Sequence, residues 1–180
     1  VCLLHGRISL DDKLDAMPLL YALRRAMEAD PAARPRLLMS GGARPGDHYP
    51  EALEAAARAL KVPFSLLPDP GPEAVRALFA AADIFVSPSD NIQESFGLTL
   101  LEAGAAGLPA VVSDWGGYRD LVEHNVTGFL TPCLAPADTP LLDRLAHTLP
   151  DNIHQLFRAQ QTAVDVPALA EALRRLISDA

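Results

Sequence analysis

The chain is poor in the features that mark several protein classes. Its 180 residues include two cysteines, Cys2 and Cys133, isolated from one another and without CxxC or metal-ligand spacing. That usage fits a reducing compartment, and no disulfide is expected. Uninterrupted apolar runs are only a few residues long, far short of the roughly 20 that a spanning helix needs, and no charged segment with an apolar core opens the sequence. Fifteen Lys and Arg against 23 Asp and Glu give a net charge of −8. A nucleic-acid surface needs clustered cations, so that class is disfavoured, and any anionic ligand must be held locally. There is no internal repeat, no low-complexity segment and no linker separating two domains. No Ser-His-Asp set or histidine cluster is readable: His5 falls at a strand end, while His48, His124, His147 and His154 are scattered and read as solvated. What is present is a globular composition, 49% apolar and 21% charged, with enough chain for one good core. The expectation is a single cytoplasmic domain over residues 1–180. Val1-Cys2-Leu3-Leu4-His5 reads as a buried strand with no turn or cap before it, so a piece of a longer protein is expected.

Short apolar segments alternate with helical ones. Strands are expected at Val1 to His5, Arg36 to Ser40, Val62 to Leu67, Asp83 to Ser87, Pro109 to Ser113 and Gly128 to Thr131. Between them lie helical patterns from Leu14 to Met27, Glu51 to Leu60, Pro72 to about Ala82, the run containing Glu102, and Tyr118 to His124. Two amphipathic pieces, Leu141 to Leu149 and Ile153 to Gln160, and a last helix from Pro167 to Ile177 follow. Strands without polar alternation indicate a parallel sheet covered on both faces, an α/β doubly wound, Rossmann-like fold of about six strands. Ligands of such sheets bind outside the carboxyl ends of the strands. Those ends are His5-Gly6-Arg7, Ser40-Gly41-Gly42, Leu67 to Asp69, Ser87 to Glu94 and Ser113 to Gly117.

The stretch Glu94-Ser95-Phe96-Gly97-Leu98-Thr99-Leu100-Leu101-Glu102 falls on that rim. Phe96-Gly97-Leu98-Thr99 opens a helix, whose first N–H groups are unpaired and carry partial positive charge, a seat for phosphate. Gly97 lets a ligand approach the backbone. With phosphate met by amides, the flanking carboxylates of Glu94 and Glu102 are suited to neutral hydroxyls, as an acidic residue is to a ribose. The plainer reading makes Glu94 a helix-start residue and Glu102 a surface residue. Against it, the small residues after Glu102, Ala103-Gly104-Ala105-Ala106-Gly107, predict a helix packed closely on the sheet, where an unpaired carboxylate is costly. Trp115, after the fifth strand, reads equally as a stacking platform for a ring and as a packing residue.

Several ordered motifs carry a family resemblance: Gly6-Arg7 with Lys13, Ala82-Asp83-Ile84-Phe85-Val86-Ser87-Pro88-Ser89, Glu94-Ser95-Phe96-Gly97-Leu98 through Glu102-Ala103, Ala106-Gly107-Leu108-Pro109, and Gly116-Gly117 with Asn125-Val126-Thr127-Gly128-Phe129-Leu130. Together they resemble the C-terminal, donor-binding domain of the retaining glycosyltransferases of the GT-B fold, family 4 (glycosyltransferase group 1), over roughly Val1 to Pro132. The resemblance implies a nucleoside-diphosphate sugar, UDP-, GDP- or ADP-linked, as donor. It also implies a metal-independent retaining hexosyltransferase with no cofactor. Arg7 and Lys13, next to Gly6, would hold the diphosphate and stabilise the leaving group. Glu94 would contact the transferred hexose and Glu102 the ribose, with Ser95, Phe96, Gly97, Leu98 and Thr99 against sugar and phosphate and the base near Leu67 to Asp69. Acceptor binding and a histidine of the catalytic region would belong to an N-terminal domain of the same protein, without which this fragment should transfer little. Two alternatives stay open: a sugar-nucleotide 2-epimerase of similar fold, and a non-catalytic nucleotide-binding module.

Overall fold

The computed structural model of the chain describes residues 1–11, 13–91 and 97–178. Six strands, β1 (Cys2–His5), β2 (Leu37–Gly41), β3 (Phe64–Pro68), β4 (Ile84–Ser87), β5 (Ala110–Ser113) and β6 (Gly128–Thr131), form one sheet in the order β3-β2-β1-β4-β5-β6. Every pairing in it is parallel, and Leu3, for instance, stands opposite Leu38 of β2 and Phe85 of β4. The chain winds from β1 outward to β3, returns to lay β4 beside β1, and winds the other way. The strand order therefore reverses between β1 and β4, where a doubly wound sheet opens a crevice.

Strand residues alternate between two apolar layers. Leu4, Val86 and Val111 face α1 (Met17–Ala29), α2 (Tyr49–Leu60) and α8 (Val166–Ser178), where Leu19, Leu20, Leu23, Leu53, Leu169 and Leu173 have no accessible surface. Leu3, Phe85 and Val112 face α3 (Pro72–Ala81), α4 (Leu98–Ala105) and α5 (Tyr118–Leu121) through Phe79, Leu100, Ala103 and Tyr118. With strands buried on both faces, each large core side chain adds about 1.5–3 kcal/mol of burial.

Helix α1 starts at Met17, later than apolar periodicity alone predicts, and the cause is local. Asp15 accepts a hydrogen bond from the Met17 N–H (2.9 Å), and Pro18 occupies the first turn, where its missing N–H costs nothing. Asp47 and Pro50 repeat the device at α2, with the Tyr49 N–H donating to Asp47 at 2.9 Å. The two amphipathic pieces are α6 (Pro140–Leu145) and α7 (Asp151–Ala159). A small antiparallel pair, β7 (Cys133–Leu134) with β8 (Ala163–Val164), was not predicted; strands of two residues give no periodicity to read. No described helix is long and apolar enough to cross a membrane. Cys2 and Cys133 are free thiols.

Candidate functional site at the strand-order switch

The rim between β1 and β4 is made by close backbone approach. Gly6 follows β1 directly and Gly41 ends β2, and a β-carbon on Gly41 would stand 1.6 Å from the Gly6 carbonyl oxygen. Space over Gly6 is taken by Lys13: its Cε would lie 3.0 Å, and its Nζ 3.7 Å, from a β-carbon on Gly6. The ammonium of Lys13 is thus folded back over the end of β1, and Arg7 is exposed on the same loop.

His5 stands at the centre of this rim. Its Nδ1 is 2.8 Å from Ser40 Oγ, and its ring meets the edge of Phe79 at 5.5 Å between centroids. Burial pushes the imidazole below its ordinary pKa. The Glu102 carboxylate and the Ser40 hydrogen bond pull it upward, and Lys13 pushes it further down. Lys13 and Glu102 thus act on the same imidazole with opposite sign.

Helix α4 begins at Gly97, whose left-handed backbone (φ 77°) is pressed on the ring of Tyr118, with Cε1 2.9 Å from the place a β-carbon would take. Tyr118 in turn is 2.7 Å from Ser87 Oγ at the end of β4. This stack fixes where α4 starts relative to the sheet. The N–H groups of Leu100 and Leu101 both turn back to the Gly97 carbonyl, and Leu98 and Thr99 supply the first N–H groups of α4, which a helix cannot pair within itself. Leu98 is exposed and Thr99 half-buried. Glu94, Ser95 and Phe96 lie outside the described residues.

Glu102 is exposed, contrary to the prediction of a costly buried carboxylate. Only Ala103 of its neighbours packs fully on the sheet, and a β-carbon on Gly104 or Gly107 would meet nothing within 4 Å. Glu102 instead lines a cleft of about 510 Å³ between α3 and α4, with Val75, Arg76, Phe79, Ala105 and Ala106. The cleft is walled by these helices rather than by Leu67–Asp69. His154, read as solvated from sequence, is buried between α6 and α7 with Nε2 3.0 Å from the Leu142 carbonyl.

A family model described as glycosyl transferases group 1 matches residues 19–151. The chain belongs to the group 1 glycosyl transferases. It is 36% identical over 149 residues to a D-inositol 3-phosphate glycosyltransferase of Corynebacterium efficiens, a match covering 82% of this chain and 34% of that protein. A protein of the same name in Geodermatophilus obscurus is 40% identical over 125 residues, covering 67% of this chain and 27% of that one. The domain thus spans between about a quarter and a third of the length of the curated relatives it matches. Among solved structures, the lipopolysaccharide outer core galactosyltransferase WaaB superposes with a TM-score of 0.63 at 20% identity, covering 99% of this chain and 40% of that one. HepE of Anabaena, in complex with UDP and glucose, gives a TM-score of 0.56 at 21% identity, with coverage of 99% and 48%. These likenesses place the sheet among the Rossmann-like folds of GT-B glycosyltransferases.

Sequence reading missed the network beneath the rim of this glycosyl transferase domain. The Asp15 N–H points at both oxygens of Asp90 (3.3 and 3.4 Å), and Tyr49 Oη accepts from the Ala16 N–H (2.5 Å) and donates to Asp15 (3.1 Å). Ser89 Oγ donates to the Lys13 carbonyl at 3.2 Å, and Ser113 Oγ to the Ser89 carbonyl at 2.6 Å. The β1–α1 and β4–α4 loops are therefore pinned to each other. Burial drives the Asp90 carboxyl up to about 7, against the backbone donors of Asp90 and Asp15 and with help from the Asp15 charge. Asp11 behaves oppositely. Burial raises it, but hydrogen bonds from Ser9, Asn152 and Arg44 outweigh this and hold it at about 2. Asn152 Nδ2 (3.0 Å) and Arg44 (2.7 Å) reach Asp11 from α7 and from the loop after β2. The available signal was the pair Asp90-Asn91 directly after Pro88-Ser89, polar residues in a loop that the sheet topology buries. Among the described residues, no three His, Cys, Asp or Glu side chains gather as a metal-binding group.

Proposed function

We propose that this chain is one domain, the donor-binding half of a retaining hexosyltransferase, and that it binds a nucleoside-diphosphate sugar at the β1/β4 switch point. The observation that carries this reading is that Lys13, folded over Gly6, and Glu102 both act on one imidazole, that of His5 at the end of β1. Positive charge from Arg7, Lys13 and the Leu98 and Thr99 amides meets the diphosphate and the charge that develops on it as the sugar departs. Glu102 then faces the ribose over the α3–α4 cleft, and Glu94 is assigned to hydroxyls of the transferred hexose. HepE, solved with UDP and glucose, supports a uridine donor as the first to be tried.

On this reading cations and helix amides do the work that a divalent ion does elsewhere, so no metal or cofactor is needed. The acceptor is held by an N-terminal domain of the same cytoplasmic protein, and no nucleic acid takes part. Calorimetric titration with UDP, GDP and ADP tests the proposal. Saturable binding of one of them, unchanged by EDTA, is the expected result. Absence of binding by all three to the folded chain would falsify it.

A further inference from the structure

Trp115 is the one tryptophan in the sequence, and the nucleotide reading gives it no role. Its backbone is fixed just past β5: its N–H donates to the Ser113 carbonyl (2.8 Å), and its carbonyl accepts from the Tyr118 N–H (3.2 Å). Arg119 clamps the preceding residue, with Nε 2.6 Å from Asp114 Oδ1. The half-buried indole forms one wall of a cleft of about 140 Å³ whose other walls include Pro136, Thr139, Arg158 and Gln161. A single water needs only about 10–15 Å³ measured in this way, so the space admits a small molecule.

We infer that this cleft is a second binding site, separate from the switch-point rim, for a neutral pyranose ring. The chemistry of the walls selects the class. Arg158 is ion-paired with Asp143, and Asp143 also accepts from Thr139 Oγ1 at 3.2 Å. The guanidinium thus already has a carboxylate partner, which disfavours a phosphate or carboxylate ligand. What the lining residues offer is a mixture of donors and acceptors: the guanidinium N–H groups, the threonine hydroxyls and the amide of Gln161. A sugar ring presents the matching surface, hydroxyls that both donate and accept around its edge and an apolar C–H face for the indole. The cleft lies along the same carboxyl-terminal rim as the switch point. Ser113 Oγ donates to the Ser89 carbonyl at 2.6 Å, joining the turn before Trp115 to the β4 loop. The cleft shares no lining residue with the switch-point rim, so a pyranose held there is positioned beside, and not within, the nucleotide crevice.

With a single tryptophan, the emission of the chain reports on this cleft directly. Titration with methyl glycosides of glucose, galactose, mannose and N-acetylglucosamine, with and without UDP, is the test. A saturable emission change with at least one of them, half-maximal on the order of 1 mM and unaltered by UDP, is expected. Gln161→Ala and Thr139→Val should each weaken it roughly threefold to tenfold while leaving the melting temperature in place. Flat emission together with no saturation-transfer NMR signal from any glycoside, in chain that still melts cooperatively, overturns the inference. So does competition by UDP, which moves the sugar to the nucleotide rim. The donor reading is judged separately by whether UDP, GDP or ADP binds at all.

Discussion

The backbones of Gly6 and Gly41 touch so closely that a β-carbon on Gly41 would sit 1.6 Å from the Gly6 carbonyl oxygen. The obstacle is backbone, so no side-chain rotation relieves it, and φ at Gly41 (140°) lies where other residues are strained. Gly41→Ala is expected to cost at least about 3 kcal/mol of stability, above ordinary overpacking. Because the shift is delivered to the residue beneath Lys13, any folded variant should also lose nucleotide affinity. Denaturant melts and calorimetry on the same sample check both. Wild-type stability in the variant would show that the two turns separate freely.

Tyr118 joins the start of α4 to the end of β4 through its hydroxyl contact with Ser87. Tyr118→Phe keeps the ring against Gly97 but leaves the buried Ser87 hydroxyl short of a partner, a loss of about 1–3 kcal/mol. Gly97→Ala should do worse, since its β-carbon would meet the Tyr118 ring at 2.9 Å and its φ of 77° is left-handed. Chemical denaturation of the two variants side by side orders them; equal stabilities would contradict the stacked arrangement.

Two carboxylates impose opposite pH dependences. Asp90 titrates at about 7 in the fold and at its ordinary 3.8 when unfolded. Between those values the folded chain holds a proton that unfolding releases, so stability falls as pH rises from about 4 to 7 and the loss is complete above. Asp11 is held at about 2, so its contribution is present above 3.8 and disappears as pH falls from there to about 2. Asp90→Asn should therefore flatten the limb between pH 4 and 7 and gain on the order of 2–4 kcal/mol at pH 8 relative to wild type. Asp11→Asn should flatten the limb below pH 4. Melting temperatures across pH 2.5–8.5, read as variant minus wild type, test the assignment, and parallel curves for wild type and Asp90→Asn would refute it.

How much of this was legible in the sequence follows from which forces are local. The six parallel strands were readable because strands buried on both faces carry uninterrupted apolar runs, and Pro72 marked the start of α3 to the residue. The start of α1 was displaced because a two-residue bond, Met17 N–H to Asp15, overrides apolar periodicity. Gly6 was placed on the rim by reasoning from strand ends, whereas Lys13 entered through the family resemblance and Glu102 through its place in the helix that opens at Gly97; the structure lays Lys13 over Gly6. The buried polar bridge from Asp15 to Asp90 was not readable. It joins residues 75 apart, and its polar members look like ordinary loop residues until the topology encloses them. His154 deceived for the same reason, its surroundings being made by α6 and α7 together.

Asp11 contributes to the proposed site without touching a ligand in it. Held by Ser9, Arg44 and Asn152, it is a positioning residue for the loop that carries Arg7 and Lys13. Asn152→Ala removes one strand of this clamp from α7, 141 residues away in sequence. Affinity for a nucleoside diphosphate should fall about threefold to tenfold, with affinity for the free nucleoside unchanged, since only the phosphate end depends on the loop. Equal losses for both ligands would reassign Asn152 to general stability.

Lys13 and Glu102 should separate the two ends of the ligand. Lys13 lies over the end of β1, where the phosphates are assigned, and Glu102 faces the α3–α4 cleft, where the nucleoside is assigned. Glu102 is exposed, so Glu102→Ala removes no core contact and should leave the melting temperature within about 0.5 kcal/mol equivalent of wild type. It should weaken UDP and uridine alike, by roughly tenfold for a lost carboxylate hydrogen bond of about 1.5 kcal/mol. Lys13→Ala should weaken UDP by a similar factor and spare uridine, and its UDP affinity should have a shallower dependence on salt because one cation no longer meets the phosphates. The reverse pattern, with uridine sensitive to Lys13 and indifferent to Glu102, would turn the ligand end for end in the crevice. It would place the diphosphate over α3, where Arg76 is the cation within reach.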